Sequence, residues 1–165
     1  MGKSVTARAL AEGRPRCAFI DVDDVRQLIV AGAAAPWEGE EGREQQRLGL
    51  TNACSLARNF VAMGIEVVFS DVLTPETCHL YRRELPGCLI VHMTVEFPEA
   101  IWRAASRKVW LTDHEFRMLY EAHAANPPAA DHRIQVDRLD LQNQTEKVAR
   151  LWEEHVDDPP RKYLR

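Results

Sequence analysis

Four short apolar runs, separated by stretches of helical periodicity, restrict this chain to an α/β fold. They are Cys17-Ala18-Phe19-Ile20-Asp21-Val22, Ile65-Glu66-Val67-Val68-Phe69-Ser70-Asp71, Cys88-Leu89-Ile90-Val91-His92-Met93-Thr94-Val95 and the shorter His132–Val136. Each has the length of a strand, and continuous apolar runs of this kind suit strands buried on both faces of a parallel sheet. The segments between them read as helices. One follows Gly2-Lys3-Ser4 and runs to Glu12. A short one is capped by Asp23-Asp24, with Val25, Leu28 and Ile29 on one face. A long one spans about Glu41 to Ala62, carrying Leu48, Leu56 and Phe60 at helical spacing. Thr74-Pro75 starts another, with proline at the first helical position. Pro98–Lys108, Thr112–Ala124 and Leu141–His155 complete the series, the last with Val148, Leu151 and Trp152 on its apolar side. Gly32–Gly42, with Trp37 in its middle, reads as a loop. Strand and helix therefore alternate from end to end, which predicts a three-layer αβα arrangement around a parallel sheet.

The 165 residues suit a single domain, spanning residues 1–156 and followed by a frayed tail at 157–165. The formal charge of −4 argues against a nucleic-acid partner, whose phosphates select basic faces. No run of about 20 apolar residues is present to cross a membrane, and the N-terminus lacks the pattern of a secretory signal. Cys17, Cys54, Cys78 and Cys88 are widely spaced and form no C-x-x-C pair, so they read as reduced thiols of a cytoplasmic protein. His114-Glu115 is followed by Met118 where a zinc motif would need a second histidine, which argues against a metal held by protein side chains alone.

In open parallel sheets, ligands bind beyond the carboxyl ends of the strands. Asp23, Asp24 and Asp71 fall there, directly after apolar strands. Asp23 reads either as a base toward a substrate hydroxyl, with Arg26 gripping an anionic group, or as part of a helix cap with a solvated arginine one turn on. Asp71 reads as a holder of a Mg²⁺ water or as a turn former. Arg103 and Arg107 share a helix face at i and i+4, as a phosphate-gripping lid or as a solvated basic surface. His92 reads as a core histidine. Gly2-Lys3-Ser4 opening a helix matches the second half of the phosphate-binding loop G-x-x-x-x-G-K-[ST], in which amides at a helix N-terminus cradle phosphate oxygens.

The chain order matters more than any one of these signals. Gly2-Lys3-Ser4, Ile20-Asp21-Val22-Asp23-Asp24-Val25-Arg26, Val67-Val68-Phe69-Ser70-Asp71 and Arg103-x-x-x-Arg107 before Leu111-Thr112-Asp113 resemble the P-loop small-molecule kinases. Within them the chain is most similar to the chloramphenicol phosphotransferase-like and zeta-toxin-like group, sometimes described as AAA-type ATP-binding proteins. The resemblance covers roughly Gly2 to Trp152. It implies ATP and Mg²⁺ as cofactors, with Gly2, Lys3, Ser4 and Val5 around the nucleotide phosphates and Ser4 and Asp71 toward the metal. It implies Asp23 as base or orienter for the acceptor hydroxyl, Asp24 and Arg26 beside the acceptor, and Arg103 and Arg107 as lid arginines in a region of about residues 98–130.

The departure from that pattern is at the start. Met1 stands where the fifth loop residue would precede Gly2, so the first half of the loop and the strand that feeds it are absent from the sequence. A gap in the middle of a parallel sheet would leave backbone groups unpaired, each costing of order 1–3 kcal/mol if buried. The expectation is a natural protein beginning roughly ten to twenty residues earlier, the length of a ~5–6-residue strand and its loop. The sequence thus predicts an ATP-dependent phosphotransferase acting on a small-molecule hydroxyl. The alternative is a degenerate module that binds nucleotide without transferring phosphate.

Overall fold

The computed structural model describes residues 2–105 and 112–157. In chain order the elements are α1 (Lys3–Glu12), β1 (Cys17–Asp21), α2 (Val22–Arg26), α3 (Gly39–Ala62), β2 (Glu66–Ser70) and α4 (Pro75–Glu84). There follow β3 (Val91–Thr94), α5 (Phe97–Ala105), α6 (Asp113–Ala125), β4 (His132–Gln135) and α7 (Leu141–Asp157). Strand and helix alternate as the apolar pattern requires.

The strands pair two and two. β1 runs parallel to β2, with Asp21 opposite Ser70 at the carboxyl end, and β3 runs parallel to β4, with Thr94 opposite Gln135. Among the described residues the two pairs form separate two-stranded sheets, where a parallel sheet lacking its central strand was expected. β2 and β3 therefore each keep one edge without a strand neighbour. The apolar residues Val67, Val68 and Phe69 of β2 are only half-buried as a result, although their composition suits a strand covered on all sides.

The main core lies between the first sheet, α3 and α4. Leu50, Ala53, Cys54, Ala57, Cys78 and Tyr81 are buried there with Ile20, Val22 and Ile90. The buried face of α3 departs from the sequence expectation. Leu48 and Leu56 are exposed, and the inward positions are Gly42, Gly49, Leu50, Ala53, Cys54 and Ala57. Small residues face inward because neighbouring segments approach the helix closely. A Cβ on Gly42 would stand 1.9 Å from the Ala35 carbonyl oxygen, and one on Gly49 would stand 2.4 Å from Arg26 Cγ. A smaller core in the second half gathers Val95, Ala100, Ile134 and Val136 with Phe116, Tyr120, Val148 and Leu151.

Side-chain bonds tie the halves together. Thr6 of α1 donates to Gln144 of α7 at 3.1 Å, and Arg14 stacks over Trp152. Arg82 of α4 pairs with Asp131 at 3.1 Å, and Asp131 in turn accepts from the Ile90 amide. The four cysteines are free thiols, with Cys54 and Cys78 buried. Burial pushes the Cys54 thiol up to about 12 and Cys88 to about 11, which leaves little thiolate at neutral pH. Among the described residues no helix is long and apolar enough to cross a membrane.

Candidate functional site

Gly2 caps α1 in the left-handed region, at φ 70°, a conformation that a side chain would strain. The first intrahelical bond runs from the Thr6 amide to the Gly2 carbonyl at 2.8 Å. The amides of Lys3, Ser4 and Val5 belong to the first turn, which has no intrahelical acceptors of its own. No acid lies in that turn to offset the positive end of the helix dipole. Lys3 is close enough to His123 of α6 to act on its titration.

The Ser4 hydroxyl meets the Ser70 hydroxyl at 2.9 Å. This bond places the start of α1 at the carboxyl edge of the first sheet, where Ser70 stands in register with Asp21. Asp21 was not among the residues singled out from sequence. It caps α2, with its side chain accepting from the Asp23 amide at 3.1 Å. The expectation that Asp23-Asp24 forms the cap is thereby corrected: the strand stops one residue short of its apolar run, and Val22 is the first helical residue. α2 ends at Arg26, so Leu28 lies outside it and is exposed.

Relief from capping frees the Asp23 carboxylate for other partners. It pairs with Arg26, whose guanidinium is one turn on. Both residues lie within electrostatic reach of Asp71, which follows β2. Asp24 is exposed.

Asp71 is more occupied than a bare loop acid. Its Oδ2 accepts from the Tyr81 hydroxyl at 2.9 Å and its Oδ1 from the Val72 amide at 2.7 Å. Burial pushes its carboxyl up to about 6, against the opposing pull of these bonds and of Arg26. The same burial, with the Asp71 charge beside it, raises the Tyr81 hydroxyl above its ordinary value. It is Ser70, rather than Asp71, that touches Ser4. Neither Ser70 nor Tyr81 carried a sequence signal beyond its position at a strand end or on an apolar helix face.

A second cluster lies on the β3–β4 side. His92 of β3 is buried, and its Nε2 stands 2.8 Å from His123 Nε2 of α6. Its Nδ1 is buried without a hydrogen-bond partner, so the expected satisfied core histidine is only half satisfied. Burial, then His123 and Arg133, push His92 down to about 4, while burial, Arg133 and Lys3 lower His123. Among the described residues no group of three or more His, Cys, Asp or Glu side chains is placed to hold a metal ion. The backbone of Arg103 lies in α5, with its side chain outside the described atoms, and Arg107 lies outside the described residues. The tail from 158 onward also lies outside them.

No family model matches the chain, and no curated protein matches it. Solved structures do. A shikimate kinase from Bacteroides thetaiotaomicron is 19% identical with a TM-score of 0.63, over 92% of this chain and 92% of that one. An unliganded sugar kinase from Janibacter sp. HTCC2649 is 13% identical with a TM-score of 0.70, over 92% of this chain and 88% of that one. At these identities the likeness is one of fold: the chain has the α/β fold of these two kinases.

Proposed function

We propose that the protein is an ATP- and Mg²⁺-dependent phosphotransferase that acts on a hydroxyl of a small molecule. The Ser4–Ser70 bond carries the reading, because it sets the phosphate-loop helix against the strand edge that bears Asp21, Asp23 and Asp71. The fold shared with a shikimate kinase and a sugar kinase supports it. Within the P-loop kinases we place the chain nearest the chloramphenicol phosphotransferase-like and zeta-toxin-like group, on the chain order of its motifs.

The donor set fits the cofactors. Hydroxyl and carboxylate oxygens are the hard ligands that Mg²⁺ prefers, and Ser4 with Asp21 and Asp71 supplies them at one edge. Asp71, whose two oxygens already accept hydrogen bonds, is suited to hold a metal-bound water through its remaining lone pairs. Lys3 and the first-turn amides through Val5, with Gly2 leaving space for the backbone to turn, bind the phosphates. When bound, ATP supplies the phosphoryl group and Mg²⁺ neutralises its charge. Asp23 would orient the acceptor hydroxyl and take up the proton it loses as the phosphoryl group supplied by bound ATP is transferred to it. Arg103 and Arg107, on their spacing in the sequence, are assigned to the transferring phosphoryl group in a lid of about residues 98–130. The lid helix α5 exposes Ile101 and Trp102, which closure over a ligand would cover.

Asp23→Asn tests the assignment. ATP affinity should stay within about twofold while transfer falls by about 10²–10⁴, the usual weight of a general base. Undiminished turnover in that variant would remove Asp23 from the mechanism. Tight nucleotide binding by the native chain with no transfer to any acceptor would favour the non-transferring module instead.

A further inference from the structure

Glycine in the middle of a long helix weakens it, so its presence there calls for a physical reason. Gly49 lies in the interior of the 24-residue α3. The reason is Arg26. A Cβ at Gly49 would stand 2.4 Å from Arg26 Cγ and 3.2 Å from Cδ, so the arginine stem crosses α3 through the notch that the missing side chain leaves. Contact at Cγ, close to the backbone, cannot be relieved by moving the far end of the side chain alone. The notch therefore fixes where the guanidinium can go.

That guanidinium is already engaged. It pairs with the Asp23 carboxylate, and its charge also acts on Asp71. The Arg26 side chain is 20% exposed and that of Asp23 49%, so the carboxylate faces outward from the pair while the arginine stays behind it. An anionic acceptor group arriving at Asp23 would meet two carboxylates, and it could recruit Arg26 only by breaking this pair and lifting the stem from the notch. A neutral hydroxyl meets the same carboxylates as acceptors for its protons.

We propose that Arg26, seated in the Gly49 notch, is a positioning residue for Asp23 rather than a clamp on the acceptor, and that the acceptor is a hydroxylic molecule without an anionic group, of the neutral sugar or polyol class. This rests on the kinase reading above, with the role of Arg26 changed from gripping the substrate to holding the base.

The test is steady-state transfer from ATP to neutral sugars and polyols and to carboxylated counterparts of the same skeletons. The variants are Arg26→Met, Arg26→Ala, Gly49→Ala and the Gly49→Ala/Arg26→Ala double. Neutral acceptors should be turned over, with kcat/KM at least about tenfold above their carboxylated counterparts. Arg26→Met should lower kcat about 10–100-fold and leave the acceptor KM within about twofold, the signature of an interaction that serves the reacting group rather than ground-state binding. Gly49→Ala should reproduce that loss of kcat and lower the melting temperature. In the Arg26→Ala background, where the notch is empty, Gly49→Ala should lower kcat no further and should raise the melting temperature, as alanine for glycine in a helix interior does, which separates a lost seat from a generally damaged helix. Preference for carboxylated acceptors overturns the proposal. So does a rise of about tenfold or more in acceptor KM with kcat retained in Arg26→Met, or additive effects of the two alanine substitutions. ATP binding with no transfer to any acceptor would instead overturn the kinase reading, and this proposal with it.

Discussion

The two halves of the molecule are built from the same parallel strand pair and differ in what those strands are made of. β1 and β2 read Cys-Ala-Phe-Ile-Asp and Glu-Val-Val-Phe-Ser, apolar but for Glu66 at the start of β2 and the last residue of each, and they rest on the core around Leu50, Ala53 and Cys54. β3 and β4 read Val-His-Met-Thr and His-Arg-Ile-Gln, and β4 buries only Ile134. Glu66 at its amino end aside, the first pair carries its polar groups at its carboxyl end, where Ser70 meets Ser4 at the start of α1. The second carries His92 and Arg133 within the strands, Arg133 exposed but His92 buried, and burying an imidazole opposes folding unless partners are found. The difference separates a half that supplies stability and an acidic edge from a half that supplies cationic and imidazole groups near Lys3.

The largest expected effect tests that division directly. Leu50 has no exposed surface, so Leu50→Ala should cost about 3–5 kcal/mol, the upper part of the range for core leucines. Ile134→Ala, in the smaller core, should cost about 2–4 kcal/mol. Urea denaturation followed by hydrogen exchange distinguishes them. Leu50→Ala should lower protection throughout, whereas Ile134→Ala should lower it mainly in β3, β4, α5 and α6. Identical, uniform loss of protection in both variants would show that the halves unfold as one unit and that the contrast has no energetic counterpart.

The next effect belongs to the second half and depends on pH. The folded state holds His92 near 4, below the 6.5 of an ordinary histidine. Between those values the unfolded chain binds the extra proton, so stability should fall as pH drops from about 6.5 to about 4, by up to about 3 kcal/mol. Lys3 and Arg133 beside the pair act in the same sense on His123. His92→Gln, which keeps an amide near the Nε2 position, should flatten this acid limb in urea titrations at pH 4–7. An unchanged limb would place the acid sensitivity elsewhere, and the first half would be the place to look.

The sequence made the fold order legible because apolar runs and helix starts are local signals. Thr74-Pro75 does start a helix with proline in its first turn, to which the structure adds a capping box, and helices separate the strands among the described residues. What it hid were decisions made between segments. The inward face of α3 could not be read from its leucines, since close approach by Ala35 and Arg26 selects glycine and alanine there. The cap of α2 fell to Asp21 because the strand stops one residue short of its apolar run. At the proposed site, Asp23 and Ser4 were singled out by the motif order. The partners Ser70, Gly49 and His123 lie 23 to 66 residues away from Ser4, Arg26 and His92, and Tyr81 joins Asp71 across the turn after β2, so no spacing rule reaches that far.

The smallest effect tests whether the acidic edge is kept for function or for the fold. Asp71 titrates near 6 in the folded chain against 3.8 for an ordinary aspartate. Its folded-state value is raised, so its contribution to stability is fully present below about 3.8 and is lost as pH rises through about 6. At pH 8 the ionised carboxylate should therefore destabilise the protein, by at most about 3 kcal/mol. Asp71→Asn removes that charge but can accept only on one oxygen, which sacrifices a bond to Tyr81 or to the Val72 amide and offsets about 1 kcal/mol of the gain. The net expectation is a variant about 1–2 kcal/mol more stable at pH 8 and no more stable at pH 4, with phosphoryl transfer reduced. A variant less stable at pH 8 would make Asp71 a structural group held by Tyr81, and the acidic edge would then be part of the same stabilising half as Leu50. Greater stability with lost turnover would mean that the better-packed half of the molecule keeps an unfavourable charge where a metal-bound water can use it.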